Sequence, residues 1–332
     1  MPEPAFWQRD GIAALALAPV AAVYAAIADA RMKRQGARAG VPVFCVGNLT
    51  AGGAGKTPTA IALAKTFLAR ERKPFFLTRG YGGSNAGPLL VAQGHTSKDV
   101  GDEALLLARL APTIVAQDRA AGAQMAVAGG ASVIVMDDGF QNAAIEKDFS
   151  LLVIDGARGI GNGRVIPAGP LRASLGVQLA RADAVLVVGA AANQTRDVIA
   201  AAKLRGIPVL TGSLTPDASA MAELRNRKIF AYAGIGHPDK FFATLTAGGA
   251  LLRGSRAFPD HHRFTGTEAN ELLAAAASEK LTLVTTEKDI ARMRGDPALA
   301  ALTKETMVLP VTMTFDDEAA WRREVVHKFL KA

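Results

Sequence analysis

Along residues 41–212, short apolar runs alternate with longer stretches of helical periodicity. The runs VPVFCVGN (41–48), KPFFLTRG (73–80), PTIVAQ (112–117), ASVIVMDD (131–138), DFSLLVIDG (148–156), ADAVLVVG (182–189) and IPVLTG (207–212) have the length and β-branched content of buried strands. Helical patterns fall between them, at residues 58–69, in EALLLARLA (103–111), in the Ala/Gly stretch after Gln117 and at 196–204. Strand and helix in turn predict βαβ units: an α/β fold whose mostly parallel sheet carries helices on both faces. The polar, turn-rich LTPDASAMAELRNR (214–227) reads as a linker. KIFAYAGIG, a helix around Leu272, LTLVTTEKD and MVLPVTMTF then predict a second, smaller α/β domain. The expected division is 1–35, 36–222 and 223–332, with the C-terminal segment free to return to the first domain.

Residues 11–28 (GIAALALAPVAAVYAAIA) hold no charge and come close to the roughly 18 residues of a membrane-span candidate. Alanine dominates, Pro19 interrupts, and large apolar side chains are few, which argues against a span. Two readings stay open: a helix lying in a membrane interface, with Phe6, Trp7 and Tyr24 at headgroup depth and Arg31, Lys33, Arg34 and Arg38 behind it, or a first helix packed on the protein. Glu3 and Asp10 in the leading segment speak against a cleaved signal peptide.

The 332 residues carry a formal net charge of +8, which favours anionic partners without choosing among them. Cys45 is the single cysteine, so neither an intramolecular disulfide nor a cysteine-built zinc site is available.

Between the first apolar run and the helix at Pro58 lies Thr50-Ala51-Gly52-Gly53-Ala54-Gly55-Lys56-Thr57. This is a phosphate loop in which Thr50 takes the place of the usual first glycine. Gly52, Gly53 and Gly55 let the backbone fold so that its N–H groups face phosphate oxygens at a helix N-terminus. Lys56 reaches the β and γ phosphates and Thr57 supplies a hydroxyl to Mg²⁺. The complementary acid stands at the end of another strand, as Asp137 or Asp138. Loop and acid together predict a fold of the P-loop NTPase type. A guanine-reading segment is absent, Thr286-Glu287-Lys288-Asp289 approaching it only loosely, and the extra early lysine of partitioning ATPases is replaced by Ala51. Those features weigh against a nucleotide-dependent switch.

Asp102, before EALLLARLA, is open to two readings: the cap of the following helix, or a carboxylate placed to take a proton from a hydroxyl acceptor. Arg79, Arg119 and Arg172 are candidates for forked bonds to phosphates, and Tyr81, among glycines, for contact with a sugar.

In order, Asn48 through Pro58, Thr78-Arg79-Gly80-Tyr81-Gly82, Gly101-Asp102-Glu103, Asp137-Asp138-Gly139-Phe140-Gln141, Pro167-Ala168-Gly169-Pro170-Leu171-Arg172 and Phe258-Pro259-Asp260-His261-His262 resemble the tetraacyldisaccharide 4′-kinase family of lipid A biosynthesis. The resemblance implies transfer of the ATP γ-phosphate to the 4′-hydroxyl of a tetraacylated glucosamine disaccharide 1-phosphate, with Mg²⁺. It implies a place on the cytoplasmic side of a bacterial inner membrane, peripheral or N-terminally anchored, with a lipid substrate, no nucleic acid and no obligate protein partner. It makes Asp102 the base with His261 beside it, neighbouring His262 leaving that assignment open. It adds Glu103 to Thr57, Asp137 and Asp138 on the metal side, and Asn48 and Gln141 to the substrate side with Arg79, Tyr81, Arg119 and Arg172. The family usually carries glutamate after Pro-Leu-Arg; this chain has Ala173. The rival readings are another P-loop small-molecule kinase or ligase, and a switch protein.

Overall fold

The computed structural model describes residues 4–331. Nine strands form one sheet in the order Val311–Phe315, Val209–Pro216, Ala184–Val188, Phe149–Asp155, Val43–Gly47, Val133–Asp137, Pro74–Thr78, Thr113–Val115 and Leu89–Leu90. All pairings are parallel except those of the two outermost strands. The central strands read as unbroken apolar runs because both faces are covered. Phe44, Val46, Val135, Leu151 and Val153 enter the core under the helix Lys56–Leu68. Cys45, Ile134, Met136, Leu152 and Ile154 enter the opposite core. The sheet is thus wound on both sides, and the strand Val43–Gly47 lies between partners reached by crossovers in opposite directions. In such sheets ligands bind beyond the carboxyl ends of the strands at this point.

A second sheet has four parallel strands in the order Leu251–Ala257, Lys228–Ala233, Thr282–Thr286 and Thr306–Leu309. The apolar stretch 307–315, expected as one strand, is two. Pro310 has no N–H to give a ladder, and at that residue the chain leaves the small sheet and pairs antiparallel with Val209–Pro216 at the edge of the large one. The stretch expected as linker contains the helix Ala218–Leu224, whose Met221 and Leu224 are buried in the core of the small lobe. Asp217 N donates to Pro310 O at 2.9 Å, so the two passages between the lobes run side by side.

The N-terminal region forms the helices Ile12–Ala16 and Ala18–Met32, the second with Pro19 in its first turn, where a missing N–H costs nothing. Ala14, Ala21 and Met32 are buried, while Ile12, Leu15, Val20, Val23, Tyr24 and Ile27 are exposed. Trp7 is anchored by its indole N–H to Pro167 O at 2.9 Å, and Asp29 accepts from Ser174 N at 2.9 Å. Among the described residues no helix is long and apolar enough to cross a membrane.

Candidate active site

The phosphate loop leaves the carboxyl end of Val43–Gly47 and runs into the helix Lys56–Leu68, capped by Gly55 at φ 86°. An L side chain rarely adopts that backbone conformation, so the glycine is required there. Thr50 bridges Leu171 as an antiparallel pair, Ala51 N donates to Pro170 O, and Arg172 N donates to Leu49 O, both at 2.9 Å. The first position of the loop is therefore extended backbone zipped to the Pro-Leu-Arg segment, a place suited to a β-branched residue rather than a glycine. Asn48, 1% exposed, donates from Nδ2 to Gly52 O at 3.0 Å. Lys56 Nζ lies 3.4 Å from Gly52 O and 3.8 Å from Asp138 Oδ2.

Asp137 ends its strand fully buried, and its Oδ2 accepts from Thr57 Oγ1 at 2.9 Å. Its Oδ1 has no partner among the described residues. Burial, then the charge of Glu103, pushes its carboxyl up to about 7. Asp138, at φ 55°, is placed differently: Arg172 grips it with a fork at 2.9 and 3.3 Å. Burial alone would raise Asp138, but Lys56 and Arg172 more than offset it and hold it below the usual carboxylate range. Arg172 also donates from Nε to Thr50 O at 3.1 Å. Gln141 spends its amide N–H on Asn48 O at 2.8 Å and Gln178 Oε1 at 2.9 Å. Asn48 and Gln141, expected on the substrate side, each donate here to a main-chain carbonyl of the loop, and Asn48 Oδ1 has no partner among the described residues.

Asp102 opens the helix Asp102–Leu107, and its cap position is Gly101 at φ 83°. A Cβ at Gly101 would meet Tyr81 O at 2.4 Å, so that glycine allows the two loops to touch. The carboxylate of Asp102 is 3% exposed. Its Oδ1 accepts from Glu103 N at 3.0 Å. Its Oδ2 meets Arg292 Nε and Nη2, both at 2.7 Å, and His261 Nδ1 at 3.5 Å. Burial works to raise this carboxyl; His261, Arg292 and Lys288 overcome that and hold it far below its ordinary value. Beside it, Glu103 Oε1 accepts from Lys288 Nζ at 2.7 Å. Burial disfavours the charge of Glu103, but Lys288 and Lys56 reverse the effect and lower it. Burial likewise opposes the charge of Lys288, but the Glu103 and Asp102 charges prevail and raise it. Glu103, expected on the metal side, therefore stands in an ion pair with the small lobe.

The two histidines part company. His261, at φ 57°, faces Asp102, with Tyr81 edge-on at 5.0 Å between ring centroids. His262 stacks on Phe258 and meets the Glu268 carboxylate at 3.0 Å, within the capping box of the helix Gly266–Ser278. Tyr81 is 61% exposed, and Arg79, two residues before it, is exposed as well. Arg119 is buried, with Nη1 on Ala116 O and Nε unpartnered among the described residues. Burial, followed by the Arg79 charge, lowers it. Ala173 is buried and gives its carbonyl to Gln178 Nε2 at 2.7 Å, so no carboxylate stands there.

Sequence reasoning missed Arg292, Lys288 and Asp289. In the sequence, Thr286-Glu287-Lys288-Asp289 stands out only as a loose match to a guanine-reading segment. It folds as the helix Glu287–Met293, capped by the Thr286 side chain, and aims Lys288 and Arg292, one turn apart, at Glu103 and Asp102.

Comparison with known proteins places the chain in a family. The family model described as tetraacyldisaccharide-1-P 4′-kinase matches residues 13–330. A tetraacyldisaccharide 4′-kinase of Rhodopseudomonas palustris (strain BisA53) is 51% identical over 98% of this chain and 95% of its own length. The protein of that name from Methylobacterium sp. (strain 4-46) is 54% identical over 97% and 96%. Among solved structures, LpxK from Aquifex aeolicus in complex with ATP superposes with a TM-score of 0.72 at 23% identity, covering 95% of this chain and 99% of that one.

Proposed function

This chain belongs to the tetraacyldisaccharide-1-P 4′-kinase family, and from that premise we infer how its residues divide the work of moving the ATP γ-phosphate to the 4′-hydroxyl of a tetraacylated glucosamine disaccharide 1-phosphate. The triphosphate lies along residues 50–57, where loop N–H groups, the helix N-terminus and Lys56 face its β and γ oxygens. The donor set fits Mg²⁺: a hydroxyl and a buried carboxylate with one oxygen unmet, Thr57 and Asp137, at the end of adjoining elements. No cluster of three or more acidic, histidine or cysteine ligands is found among the described residues, which suits a cation that takes most of its oxygens from phosphate and water. Bound there, Mg²⁺ neutralises charge on the β and γ phosphates. Asp138, already forked by Arg172, serves the loop rather than the metal.

The acceptor O4′ forms its bond to Pγ as the bond from Pγ to the β-bridging oxygen breaks, and the O4′ proton passes to the Asp102 carboxylate. A base held far below neutrality can do this because phosphoryl transfer runs through a loose transition state, in which the hydroxyl becomes acidic only late. His261 keeps Asp102 oriented and, with Tyr81, forms the wall against which the sugar rests. Arg79, exposed, and Arg119, buried with Nε unmet among the described residues, are the guanidiniums we assign to substrate phosphate. The observation that carries this reading is the meeting of Asp102 with His261 and Arg292 at the seam between the lobes, where the adjacent Glu103 interacts with Lys56 and Asp137.

The exposed apolar face of residues 12–27, followed by Arg31, Lys33, Arg34 and Arg38, supports a peripheral seat on the cytoplasmic side of the inner membrane, where ATP and the lipid meet. Incubation with γ-labelled ATP, Mg²⁺ and the acylated disaccharide 1-phosphate in detergent tests the assignment. Label should appear on the 4′-oxygen, and its absence overturns the reading.

A further inference from the structure

Arg292 stands 190 residues from Asp102 in sequence and on the other lobe. Its guanidinium is 5% exposed, and its arms point to separate anchors. Nε and Nη2 converge on Asp102 Oδ2 at 2.7 Å, while Nη1 donates to Asp289 Oδ1 at 2.8 Å and to the Gly234 carbonyl. Asp289 is itself fixed, accepting from Gly234 N at 3.0 Å, Thr286 Oγ1 at 2.6 Å and Thr285 Oγ1 at 3.2 Å. His261 is tied to the same place, since its backbone N–H donates to Gly234 O at 3.1 Å. One carbonyl therefore seats both small-lobe groups that face Asp102. A Cβ at Gly234 would come within 3.1 to 3.3 Å of His262, Asp289 and Arg292, so the seat has little slack.

The distances rank the two groups. The imidazole of His261, at 3.5 Å, is beyond ordinary hydrogen-bond length, whereas Arg292 Nε donates at 2.7 Å and Nη2, equally close, adds charge without a hydrogen bond of its own among the described residues. We propose that Arg292 is the positioning residue for the proton acceptor: braced by Asp289 and Gly234, it pins Asp102 Oδ2, leaves Oδ1 as the oxygen that takes the proton, and makes the acceptor competent only while the small lobe is docked. Oδ1 has the lone pair for this, since among the described residues it accepts only from Glu103 N. The inference rests on the reading of Asp102 as proton acceptor.

The test measures kcat, KM for ATP and thermal unfolding for the wild type, Arg292→Lys, Arg292→Ala and Asp102→Asn. An ammonium keeps the charge but cannot reach Asp102 and Asp289 together, so Arg292→Lys should lower kcat by about tenfold to a hundredfold while KM for ATP stays within about threefold. Arg292→Ala should lose more, and millimolar ethylguanidinium should recover at least about tenfold of that loss. Should Arg292→Ala fail to fold, Arg292→Lys decides the question. A kcat within about threefold of wild type in Arg292→Lys, with only the melting temperature changed, overturns the proposal; so does a loss confined to KM for ATP. Retained turnover in Asp102→Asn sinks the underlying reading instead, so the two failures are distinct.

Discussion

Asp137 has one oxygen on the Thr57 hydroxyl and the other unmet, and it holds a proton up to about pH 7, burial being the main cause and Glu103 the next. In the unfolded chain it would release that proton near the ordinary value of 3.8. Between those values the folded state binds more protons than the unfolded one, so its contribution to stability is full below the lower value and is lost as pH rises through the higher. Metal-free protein should therefore lose stability from pH 5 to 8, and Asp137→Asn should flatten that slope, as read by thermal unfolding in EDTA. ATP with Mg²⁺ should raise the melting temperature of the wild type, and the same substitution should abolish that rise. For Lys56→Ala, loss of the ammonium facing the γ-phosphate should depress kcat by about a hundredfold or more, whereas Asp102→Asn should reduce turnover and spare nucleotide affinity. Equal loss of ATP binding in both, by calorimetry, would contradict the roles assigned here. Lys56, Thr57 and the Asp137–Asp138 pair could be picked out of the sequence because loop, helix start and strand end are local features, but not which aspartate meets Thr57. Arg292 was not, because its meaning lies in a contact between lobes that no periodicity announces.

At the scale of elements, the helix Glu318–Lys331 is fastened to the large lobe by Trp321, which is 2% exposed and stacks on Phe315 at 3.9 Å between centroids. Its indole N–H reaches Thr66 Oγ1 at 3.2 Å, on the back of the helix that starts at Lys56. Trp321→Ala should cost about 3–5 kcal/mol in chemical denaturation, since an aromatic of that size leaves a cavity its neighbours cannot fill. The apolar runs of the large sheet were readable because parallel strands buried on both faces leave an unmistakable string of Val, Ile, Leu and Phe. The stretch 307–315 misled for the same reason: it is apolar throughout, and only Pro310 marks the change of sheet. Thr50 is the local departure from the phosphate-loop pattern. A glycine is expected where a loop must turn, but here the chain is still extended against Leu171.

For the whole molecule, the meeting of the lobes rests on charge: Lys288 with Glu103, Arg292 with Asp102, Lys98 with Asp296 and Lys240 with Asp155. Exposed pairs such as Lys98–Asp296 contribute little singly, so docking leans on the buried Arg292–Asp102 pair and the half-buried Lys288–Glu103 pair at the site. The N-terminal helices place an apolar face on the outside of this assembly. Val20→Ser, Val23→Ser and Ile27→Ser together should weaken binding to anionic vesicles by about tenfold or more while leaving ATP affinity unchanged, measured by flotation and by calorimetry. Unaltered flotation would remove that face from any role at the bilayer. The hydrogen bond from Asp217 to Pro310, with Pro216 and Val311 paired beside it, carries a consequence for dissection. Chain departs and comes back at neighbouring rungs of one ladder, so a two-residue Asn-Gly turn joining 216 to 311 would close an ordinary hairpin at the rim of the large sheet. Such a shortened polypeptide is expected to grip nucleotide yet transfer nothing, parting the two halves of the reaction with a single cut.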